Sequence, residues 1–472
     1  MVIDHTNQGK LTSLGLNFQN KTVFEVVSCR QHCSNMAKEA TYLGRVMNTS
    51  GRTPLWRVVM VGLIGNVMEW YDFAVYGYLV FAIGDQFFPS ADPRASLIGA
   101  FAAFAAGFLV RPLGGVVLGR VADRVGQDAA LRFSVLGMGF STVLMSCLPT
   151  YSQIGLLAPV ALLLLRILQG LSAGGEYTTS IVYLAEHAPV RRRGLVTIWS
   201  LWGSVLGMLM GSAAGAILTS QLTHLQVISW GWRLPFSFGI LVALVGLLLR
   251  RKLTSAAQCN DAPQPFRDCL GAHRGSVLRV LLLNIASSVG FYMAFVYAVT
   301  YIHTVGHQSE TYALELNTQV MGQLLVFYPI AAWISDQIGR RPMLIAGAAL
   351  LCVGSMPAFH LLQSDSSQLI ERGEIFLMIT VAILAGGKNP ANVELMPVAV
   401  RCTGLALAFN IAEGYFGGTT PLISSWLVES SGDPGLPALW LSFSGAITLI
   451  TALWFTPETY RLQLDSSLKR IS

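Results

Sequence analysis

Two carboxylates stand close together in the first long apolar stretch of the chain. Glu69 and Asp72 are three residues apart, so in a helix they occupy neighbouring positions of one face, which Asn66 and Tyr76 extend. A charge at membrane depth costs roughly 2.5–3.5 kcal/mol, which favours a functional role for each of them. Because two carboxylates this close repel each other, one of the pair is suited to binding and releasing a proton.

Two arginines, Arg111 and Arg166, lie in the second and fourth apolar stretches. A guanidinium presents donors that match both oxygens of a carboxylate, so Arg166, near the middle of its stretch, is suited to hold the carboxylate of a solute. The alternative is structural, since either arginine could simply neutralise Glu69 or Asp72. Arg111 lies too deep to reach the membrane surface, and we expect it to pair internally.

Glu176 is a third acidic candidate, about 15 Å beyond Arg166 along a helix axis. It could carry the proton, or it could be the structural partner of a neighbouring helix. The preceding Gly174 and Gly175 predict a close approach of two backbones or local unwinding, as at many membrane binding sites.

Further polar candidates come from the second part of the chain. Tyrosine faces can hold a quaternary ammonium by cation–π attraction, although tyrosines near helix ends are commonly interfacial anchors. Of Tyr292, Tyr297 and Tyr301, we expect only Tyr292 to contact a solute, and Gln319 and Glu413 face the same region. The solute-binding candidates are Asn66, Tyr76, Arg111, Arg166, Tyr177, Tyr292, Asn317 and Asn410, and the proton-coupling candidates are Glu69, Asp72 and Glu176.

Lys388 receives a different interpretation. It lies near the end of its apolar stretch, so its long side chain is expected to reach the membrane interface. In another stretch, the spacing of Gly203, Gly207, Gly211 and Gly215 predicts close helix packing.

The amino-acid composition indicates that these residues lie on helices that cross a membrane. Of 472 residues, 53% are hydrophobic and only 12% are charged, about half the charged share of an average soluble domain. Apolar stretches long enough to cross a bilayer, roughly 20 residues each, recur from residue 57 onwards. We predict an all-α membrane protein with twelve transmembrane helices at residues 57–84, 95–121, 129–149, 155–186, 195–220, 231–251, 277–303, 313–335, 342–362, 373–393, 402–428 and 436–457.

The cations between these helices indicate the orientation. The loops on one side contain only Arg94 and Arg372. By the positive-inside rule the opposite side, with both termini, is cytoplasmic. The net charge of +6 is then a sign of topology and requires no nucleic-acid partner. The cations on the predicted cytoplasmic side are Arg57, Arg120, Arg124, Arg191, Arg192, Arg193, Arg250, Arg251, Lys252, Arg267, Arg274, Arg340, Arg341, Arg401 and Arg461.

Two short motifs each occur twice on the arginine-rich side. D-R-V-G-Q-D at 123–128 corresponds to D-Q-I-G-R-R at 336–341, and E-x-x-P-x-x-x-R at 186–193 corresponds to the same pattern at 394–401. Both pairs have nearly the same separation, which indicates an internal duplication, a common architecture of transporters. The predicted gating residues are Asp123, Arg124, Asp336, Arg340, Arg341, Glu186, Arg193, Glu394 and Arg401.

The duplication defines the predicted domains. These are a cytoplasmic tail at 1–50, six-helix halves at 51–251 and 277–472, and a cytoplasmic linker at 252–276. The tail lacks the regions of a signal peptide. It is either a polar tail or the consequence of a start codon placed before Met36 or Met47.

The duplicated loops in a six-plus-six arrangement resemble the major facilitator superfamily. Four further segments narrow the resemblance to the metabolite:proton symporters, and within them to the proline/betaine transporters. They are GNVMEWYDF at 65–73, FLVRPLG at 108–114, QGLSAGGEY at 169–177 and GWRLPF at 231–236. The resemblance covers about residues 55–460. It implies alternating access, with a proton and a small polar solute such as proline or glycine betaine bound together.

The first gating loop departs from the pattern of this family. The family usually has two cations where this chain has Gln127 and Asp128, whereas the second loop keeps Arg340 and Arg341. In such loops the aspartate pairs with helix ends and cations and helps to hold one access state closed. The loss of the two cations puts in question how strongly these contacts, the cytoplasmic latch, hold that access state closed. It does not affect the predicted fold.

Several functional classes find no support in the sequence. A Walker A loop and an HExxH motif are absent, so we predict neither ATP-driven transport nor enzyme activity. The seven cysteines show no CxxC spacing, and we expect no disulfide, metal site or cofactor. The expected partners are a solute, a proton and the lipid of the cell inner membrane, and the protein is expected to be a monomer. A di- or tricarboxylate symporter and a non-transporting membrane solute sensor remain alternatives.

Overall fold

Twelve long helices, α1–α12, make up the computed structural model, which describes residues 54–90, 93–250 and 265–464. The first six are Leu55–Tyr78, Ala95–Arg124, Gln127–Ser146, Leu157–His187, Val190–Gln221 and the bent pair His224–Gly231 with Arg233–Leu248. The second six are Arg274–Thr304, Glu310–Ile338, Arg340–Leu362, Ser367–Glu394, Arg401–Ile411 continued by Ala412–Gly417 and Thr420–Ser431, and Leu436–Phe455. The predicted tail at 1–50 and the linker residues 252–264 lie outside the described residues.

The helices differ in how apolar they are. Within the described part of the chain, eight are long and apolar enough to cross a membrane, and the bent α6 makes nine. The other three are α8, α10 and α11, which carry Asp336, Lys388 and Glu413. Charged groups at membrane depth face a protein interior or a cavity.

Close backbone packing fixes α1 against α5. An added Cβ on Gly207 would lie 2.4 Å from the carbonyl oxygen of Val67, and one on Gly203 would lie 2.7 Å from that of Leu63. The glycine spacing in the sequence predicted this close packing, and the structure confirms it. The contact holds the acidic segment of α1 in a defined position.

Apolar side chains fill the interior and cover the outside of the bundle. One buried core contains Tyr71, Phe87 and Trp232 of the first six helices. The outward faces of the helices carry exposed large apolar residues, such as Val353 and Trp454. An apolar exterior of this kind suits a lipid environment.

Local irregularities occur in the helices that approach the centre. A π-helical turn, Met293–Tyr297, interrupts α7, and a second, Ala412–Gly417, interrupts α11. Such turns are frequent at functional sites, because they rotate the following side chains relative to a regular helix. Glu413 lies in the second of them.

Candidate functional site

A small cavity, about 30 Å³ in volume, lies between the first six and the last six helices. In this conformation the cavity has room for water, and it must widen to hold a metabolite. Five aromatic side chains, from α1, α4, α7, α8 and α11, form part of its walls. The aromatic lining residues are Trp70, Tyr177, Phe291, Tyr328 and Phe409, and the others are Leu201, Ser204, Val205, Ser287 and Val381.

Three charged residues complete the lining of this cavity: Arg111 from α2, Lys388 from α10 and Glu413 from α11. Glu413 accepts a 2.7 Å hydrogen bond from the hydroxyl of Ser288. The ammonium of Lys388 lies 5.7 Å from the ring centre of Phe409. The cavity therefore presents one anionic and two cationic groups among aromatic faces.

Arg111 connects the cavity to the first predicted carboxylate. Its Nη2 donates a hydrogen bond to Oε1 of Glu69, and both side chains are buried. Among the described residues, neither Nη1 of Arg111 nor Oε2 of Glu69 has a hydrogen-bond partner. The guanidinium also lies against aromatic rings, 5.4 Å from the ring centre of Phe108 and 5.9 Å from that of Trp70.

The second predicted carboxylate has a separate partner. Nη1 of Arg166 donates a 3.1 Å hydrogen bond to Asp72, which also accepts one of 3.0 Å from Thr142. The Arg166 guanidinium stacks 3.7 Å from the ring centre of Tyr76. Glu69 and Asp72 are thus each paired with their own arginine, in contrast to the expectation of two mutually repelling carboxylates.

Arg166 is not part of the cavity wall. Its side chain is fully buried within the first six helices. The expectation that its guanidinium holds a solute carboxylate stays a prediction: Nη1 binds Asp72, Nε and Nη2 have no hydrogen-bond partner among the described residues, and the side chain does not line the cavity. The alternative from the sequence, an arginine that neutralises an acidic residue of α1, describes what the structure shows.

Two other candidates from α1 also point away from the cavity. Asn66 donates hydrogen bonds to the carbonyl of Gly62 and, at 3.0 Å, to the hydroxyl of Ser180. The hydroxyl of Tyr76 donates to the carbonyl of Ala100. Both side chains serve contacts within the first six helices and do not line the cavity.

The remaining predicted residues divide between the cavity and its surroundings. Tyr177 lines the cavity, stacks on Phe409 and donates a 2.9 Å hydrogen bond to Asn389. Asn410 donates to the carbonyl of Gly174, and Asn317 to that of Phe295. Buried outside the cavity lining are Glu176 and Tyr292. Of the solute-binding candidates, the structure brings Arg111 and Tyr177 to the cavity and places the other six elsewhere.

Lys388 is the main residue that the sequence interpretation misjudged. It is buried and lines the cavity, whereas we expected its side chain to reach the membrane interface. The reason is that the end of α10 is itself buried, since Asn389, Asn392 and Glu394 are all enclosed. The rarity of charges at membrane depth was the signal that could have identified it.

The arginine-rich end of the bundle is closed by contacts between the two groups of helices. Asp336 accepts hydrogen bonds of 2.8 Å from the backbone N–H groups of Gly194 and Leu195, at the start of α5. In the same way Asp123 accepts hydrogen bonds of 2.9 Å from the N–H groups of Cys402 and Thr403, at the start of α11. The duplicated loops therefore make duplicated contacts across the interface.

Glycines allow both of these loops to turn. The backbone φ is 123° at Gly126 and 110° at Gly339, a region that a residue with a Cβ rarely adopts. Each glycine directly precedes the next helix and follows the helix that carries the aspartate.

The second duplicated motif forms reciprocal ion pairs. Arg193 of the first half donates a 2.7 Å hydrogen bond to Glu394 of the second, and Arg401 donates one of 2.7 Å to Glu186. Three predicted gating residues are not among these contacts across the interface. Arg340 binds Asp336 and Glu394 of its own half, Arg341 donates to carbonyls of α12 in the same half, and Arg124 is exposed.

Within the described ranges, no group of three or more His, Cys, Asp or Glu side chains could hold a metal ion.

Comparison with known proteins decides the class of protein to which this site belongs. Residues 58–255 and 266–467 match the family described as sugar (and other) transporter. The chain belongs to this transporter family. It is a multi-pass membrane transporter, and not an enzyme.

Relatives in the family carry more specific names. The chain is 34% identical to the glycine betaine/proline/ectoine/pipecolic acid transporter OusA of Dickeya dadantii, over 86% of this chain and 84% of OusA. It is 33% identical to the proline/betaine transporter of Escherichia coli, over 84% and 83% of the two chains. It is 38% identical to a putative proline/betaine transporter of Staphylococcus aureus, over 88% and 91%.

Solved structures identify the fold. The xylose symporter XylE, a major facilitator protein, superimposes with a TM-score of 0.73 at 20% identity, covering 87% of this chain and 97% of XylE. The fucose symporter FucP of E. coli gives a TM-score of 0.62 at 13% identity, covering 84% and 97%. The predicted major facilitator fold, with twelve transmembrane helices in two six-helix halves, is confirmed.

Proposed function

We propose that this transporter is a proton-coupled symporter of a small zwitterionic osmolyte of the proline and glycine betaine class. The observation that carries the proposal is the cavity that combines Glu413 with Arg111 and Lys388 among five aromatic side chains. A zwitterion of this class has a cationic nitrogen and a carboxylate, and the cavity offers complementary groups to both.

The two ends of such a solute are recognised by different chemistry. Aromatic faces attract a quaternary or secondary ammonium through their π electrons, and Glu413 supplies the counter-charge. The solute carboxylate is held by Lys388 and by Nη1 of Arg111, which has no hydrogen-bond partner among the described residues. Charge-assisted hydrogen bonds of this kind are stronger than neutral ones.

The names of the relatives support this class of solute. OusA is named for glycine betaine, proline, ectoine and pipecolic acid, and the E. coli relative for proline and betaine. These solutes are all small zwitterions. A neutral sugar would leave Lys388 and Glu413 without an ion-pair partner among the described residues, and buried unpaired charges are costly.

The protein works by alternating access of its two halves, 51–251 and 277–472, in the cell inner membrane. Its arginine-rich end and both termini face the cytoplasm, in accord with the positive-inside rule. The ion pairs Arg193–Glu394 and Arg401–Glu186 then close the cytoplasmic entrance. Opening this entrance requires these pairs to break while the opposite end closes.

The proton is carried by a carboxylate near the cavity. Glu69, Asp72 and Glu176 are the candidates, all buried within the first six helices. Glu69 is the best placed of the three, because its partner Arg111 lines the cavity. A monomer contains the whole cavity, so we propose that the monomer is the transporting unit.

One observation favours a second candidate solute. The cavity contains two cations and one carboxylate, and a di- or tricarboxylate could bridge Arg111 and Lys388. Glu413 opposes this alternative, since its charge would repel the second carboxylate of the solute.

Calorimetry on the purified transporter separates these solutes. We expect glycine betaine and proline to bind, and succinate, citrate and xylose not to bind. Glu413→Gln should weaken glycine betaine binding by roughly 30-fold, since truncating one partner of a buried charge pair costs about 2 kcal/mol or more. Glu315→Gln is the matched control, because Glu315 is exposed on α8.

Two other results would reject the proposal. Binding of citrate or succinate without glycine betaine would establish the carboxylate alternative. Binding of glycine betaine without any uptake into proteoliposomes would indicate a solute sensor.

A further inference from the structure

A second cavity lies at the arginine-rich end of the bundle, separate from the solute cavity. It has a volume of about 530 Å³, which falls in the range of ligand sites. Its walls come from both halves, with the first turn of α5 on one side and α8 and the segment after α12 on the other. The charged and aromatic residues that line it are Arg191, Arg192, Trp333, Asp336, Tyr460 and Arg461.

Three arginines give this cavity an unbalanced positive charge. Arg191, Arg192 and Arg461 are exposed, and none of them forms an ion pair with a residue that the structure describes. Two of them lie in the first turn of α5, at Val190–Arg192, where the helix dipole adds further positive charge. The cavity therefore favours an anion.

The carboxylate in the cavity wall is already engaged elsewhere. Asp336 accepts hydrogen bonds from the backbone N–H groups of Gly194 and Leu195 and from the guanidinium of Arg340. It is also buried. Its charge stabilises the start of α5 and Arg340, so it is not available to pair with the three exposed arginines.

The backbone holds Arg461 in an unusual conformation. Its φ is 66°, in the left-handed region that a residue with a side chain rarely adopts. In this conformation its guanidinium lies 4.6 Å from the ring centre of Tyr460, and both residues line the cavity. Backbone strain of this kind is concentrated at ligand and active sites, which supports a binding role for Arg461.

Trp333 indicates that the cavity lies near the boundary between membrane and water. Its side chain is 56% exposed, and it lies five residues before α8 ends at Ile338. Tryptophans of transmembrane helices are enriched at the level of the lipid headgroups. Basic pockets between transmembrane helices at this level suit the phosphate of a headgroup.

We propose that a phosphate group binds in this cavity and bridges the two halves of the transporter. Arg191 and Arg192 hold it from the first half, and Arg461 holds it from the second. Guanidinium groups match phosphate oxygens with two parallel hydrogen bonds each, which makes this pairing strong and specific. An anionic lipid headgroup and inorganic phosphate share this chemistry, and the binding measurement separates these two sources.

The position of the site gives the phosphate a role in the transport cycle. A group that is held from both halves loses part of its contacts when the halves separate at the arginine-rich end. A bound phosphate therefore stabilises the closed state of the latch, since a ligand shifts an equilibrium toward the state that it binds more tightly. The solute cavity is separate, so this control requires no contact with the solute.

Thermal unfolding of the purified full-length protein measures binding, because a ligand of the native state raises the melting temperature. The probes are short-chain phosphatidylglycerol, phosphatidylcholine of the same chain length, and inorganic phosphate compared with chloride at equal ionic strength. We expect phosphatidylglycerol to stabilise the wild type, and phosphatidylcholine to have a much smaller effect because its choline neutralises the phosphate. Stabilisation by inorganic phosphate identifies the free ion as a ligand, and stabilisation by phosphatidylglycerol alone identifies the headgroup as the source.

A triple variant removes the cations of the cavity: Arg191→Gln, Arg192→Gln and Arg461→Gln. We expect it to bind the phosphate probe at least about tenfold more weakly, since each arginine near an anionic headgroup contributes roughly fivefold in affinity. The three side chains are exposed, and surface substitutions rarely affect stability strongly, so the variant is expected to fold.

A second triple variant with the same change in charge is the matched control. Arg124→Gln, Arg267→Gln and Arg274→Gln remove three exposed arginines of the same end that do not line the cavity. This variant should keep the wild-type affinity. The pair of variants thus separates a defined site from general attraction between a basic surface and an anion.

Cys402 reports whether the phosphate holds the latch closed. Its side chain is buried at the start of α11, in a core that residues of both halves form, and its N–H donates to Asp123 of the first half. Opening of this end therefore exposes the thiol to a maleimide. In a protein whose single cysteine is Cys402, the phosphate probe should slow labelling by about fivefold, the lower range of coupling between two sites.

The labelling rate should not respond to the probe once the arginines of the cavity are replaced, and it should respond as in the wild type in the control variant. Neither measurement uses the transported solute, so an error in the proposed class of solute leaves both intact. Equal loss of binding in the two triple variants would overturn the proposal, and so would phosphatidylcholine that stabilises as well as phosphatidylglycerol. Absence of stabilisation by every probe contradicts the site itself, and binding that leaves the labelling of Cys402 unchanged contradicts the bridge between the halves.

Discussion

Gln127 donates a 2.6 Å hydrogen bond to Glu186 at the arginine-rich end of the bundle. The duplicated loop has Arg340 at the equivalent position, and Arg340 donates to Glu394 at 3.4 Å and to Asp336 at 2.8 Å. Glu186 therefore receives a neutral amide where its counterpart Glu394 receives a guanidinium. The two halves of the latch are similar in geometry but unequal in charge.

Gln127→Arg should strengthen the weaker half of this latch. A second cation beside Glu186 converts a neutral hydrogen bond into a charge-assisted one, with a gain of roughly 1 kcal/mol that favours the closed cytoplasmic entrance. We expect solute counterflow in proteoliposomes to slow by about fivefold, since the barrier to opening rises by this amount. Arg340→Gln is the converse variant and should speed opening. Faster counterflow in Gln127→Arg would show that this residue does not limit opening.

The pair Asp72–Arg166 should behave as a structural unit. Breaking a buried ion pair from one side costs roughly 3–5 kcal/mol of unfolding free energy, whereas removing both charges costs less. Asp72→Asn and Arg166→Gln should therefore each lower the melting temperature in detergent, and the double variant should recover part of the loss. The double variant should also bind glycine betaine, because neither residue lines the cavity. A folded double variant that binds no solute would contradict this prediction and would indicate that Arg166 takes part in solute binding.

Gly174 should not tolerate a side chain. An added Cβ would lie 2.1 Å from the carbonyl oxygen of Arg111, so α2 and α4 would have to separate and the guanidinium of Arg111 would move. Gly174→Ala should lower stability by about 1–3 kcal/mol, the usual cost of overpacking, and weaken solute binding. Gly322→Ala in α8 is the control, because nothing lies within 4 Å of its added Cβ. Thermal unfolding with and without glycine betaine measures both effects, and equal behaviour of the two variants would contradict the close contact.

Cysteine labelling tests the orientation in the membrane. Cys147 is exposed where α3 ends, opposite the arginine-rich end, and Cys269 is buried. Burial raises the pKa of the Cys269 thiol to about 12. Near neutral pH this thiol stays protonated, and only the thiolate reacts. An impermeant maleimide outside intact cells should label a variant whose single cysteine is Cys147, but not one whose single cysteine is Cys269. Labelling of Cys147 only after permeabilisation would reverse the orientation.

The helices and the latch could be predicted from the sequence because they depend on local patterns. Apolar length indicated twelve helices, and the internal repeat related Asp123 to Asp336 and Glu186 to Glu394 before any contact was visible. The glycine spacing in α5 predicted close packing for the same reason. Each of these features requires only a short stretch of sequence.

The lining of the cavity depends on tertiary packing, which local spacing does not define. Helical periodicity placed Asn66, Tyr76 and Asp72 near Glu69 on one face, but the neighbouring helices determine what that face contacts. Arg166 has a guanidinium suited to a solute carboxylate, yet it pairs with Asp72 and does not line the cavity. Lys388 does lie near the end of α10. The sequence does not show that this end is buried by contacts of the latch, so the side chain was expected to reach the membrane interface.

Uptake of labelled glycine betaine into proteoliposomes under an imposed inward proton gradient tests the proposed proton-coupled symport most directly. We expect accumulation above the external concentration that collapses when a protonophore is added and needs no sodium. Accumulation that requires sodium and persists in the presence of the protonophore would contradict it.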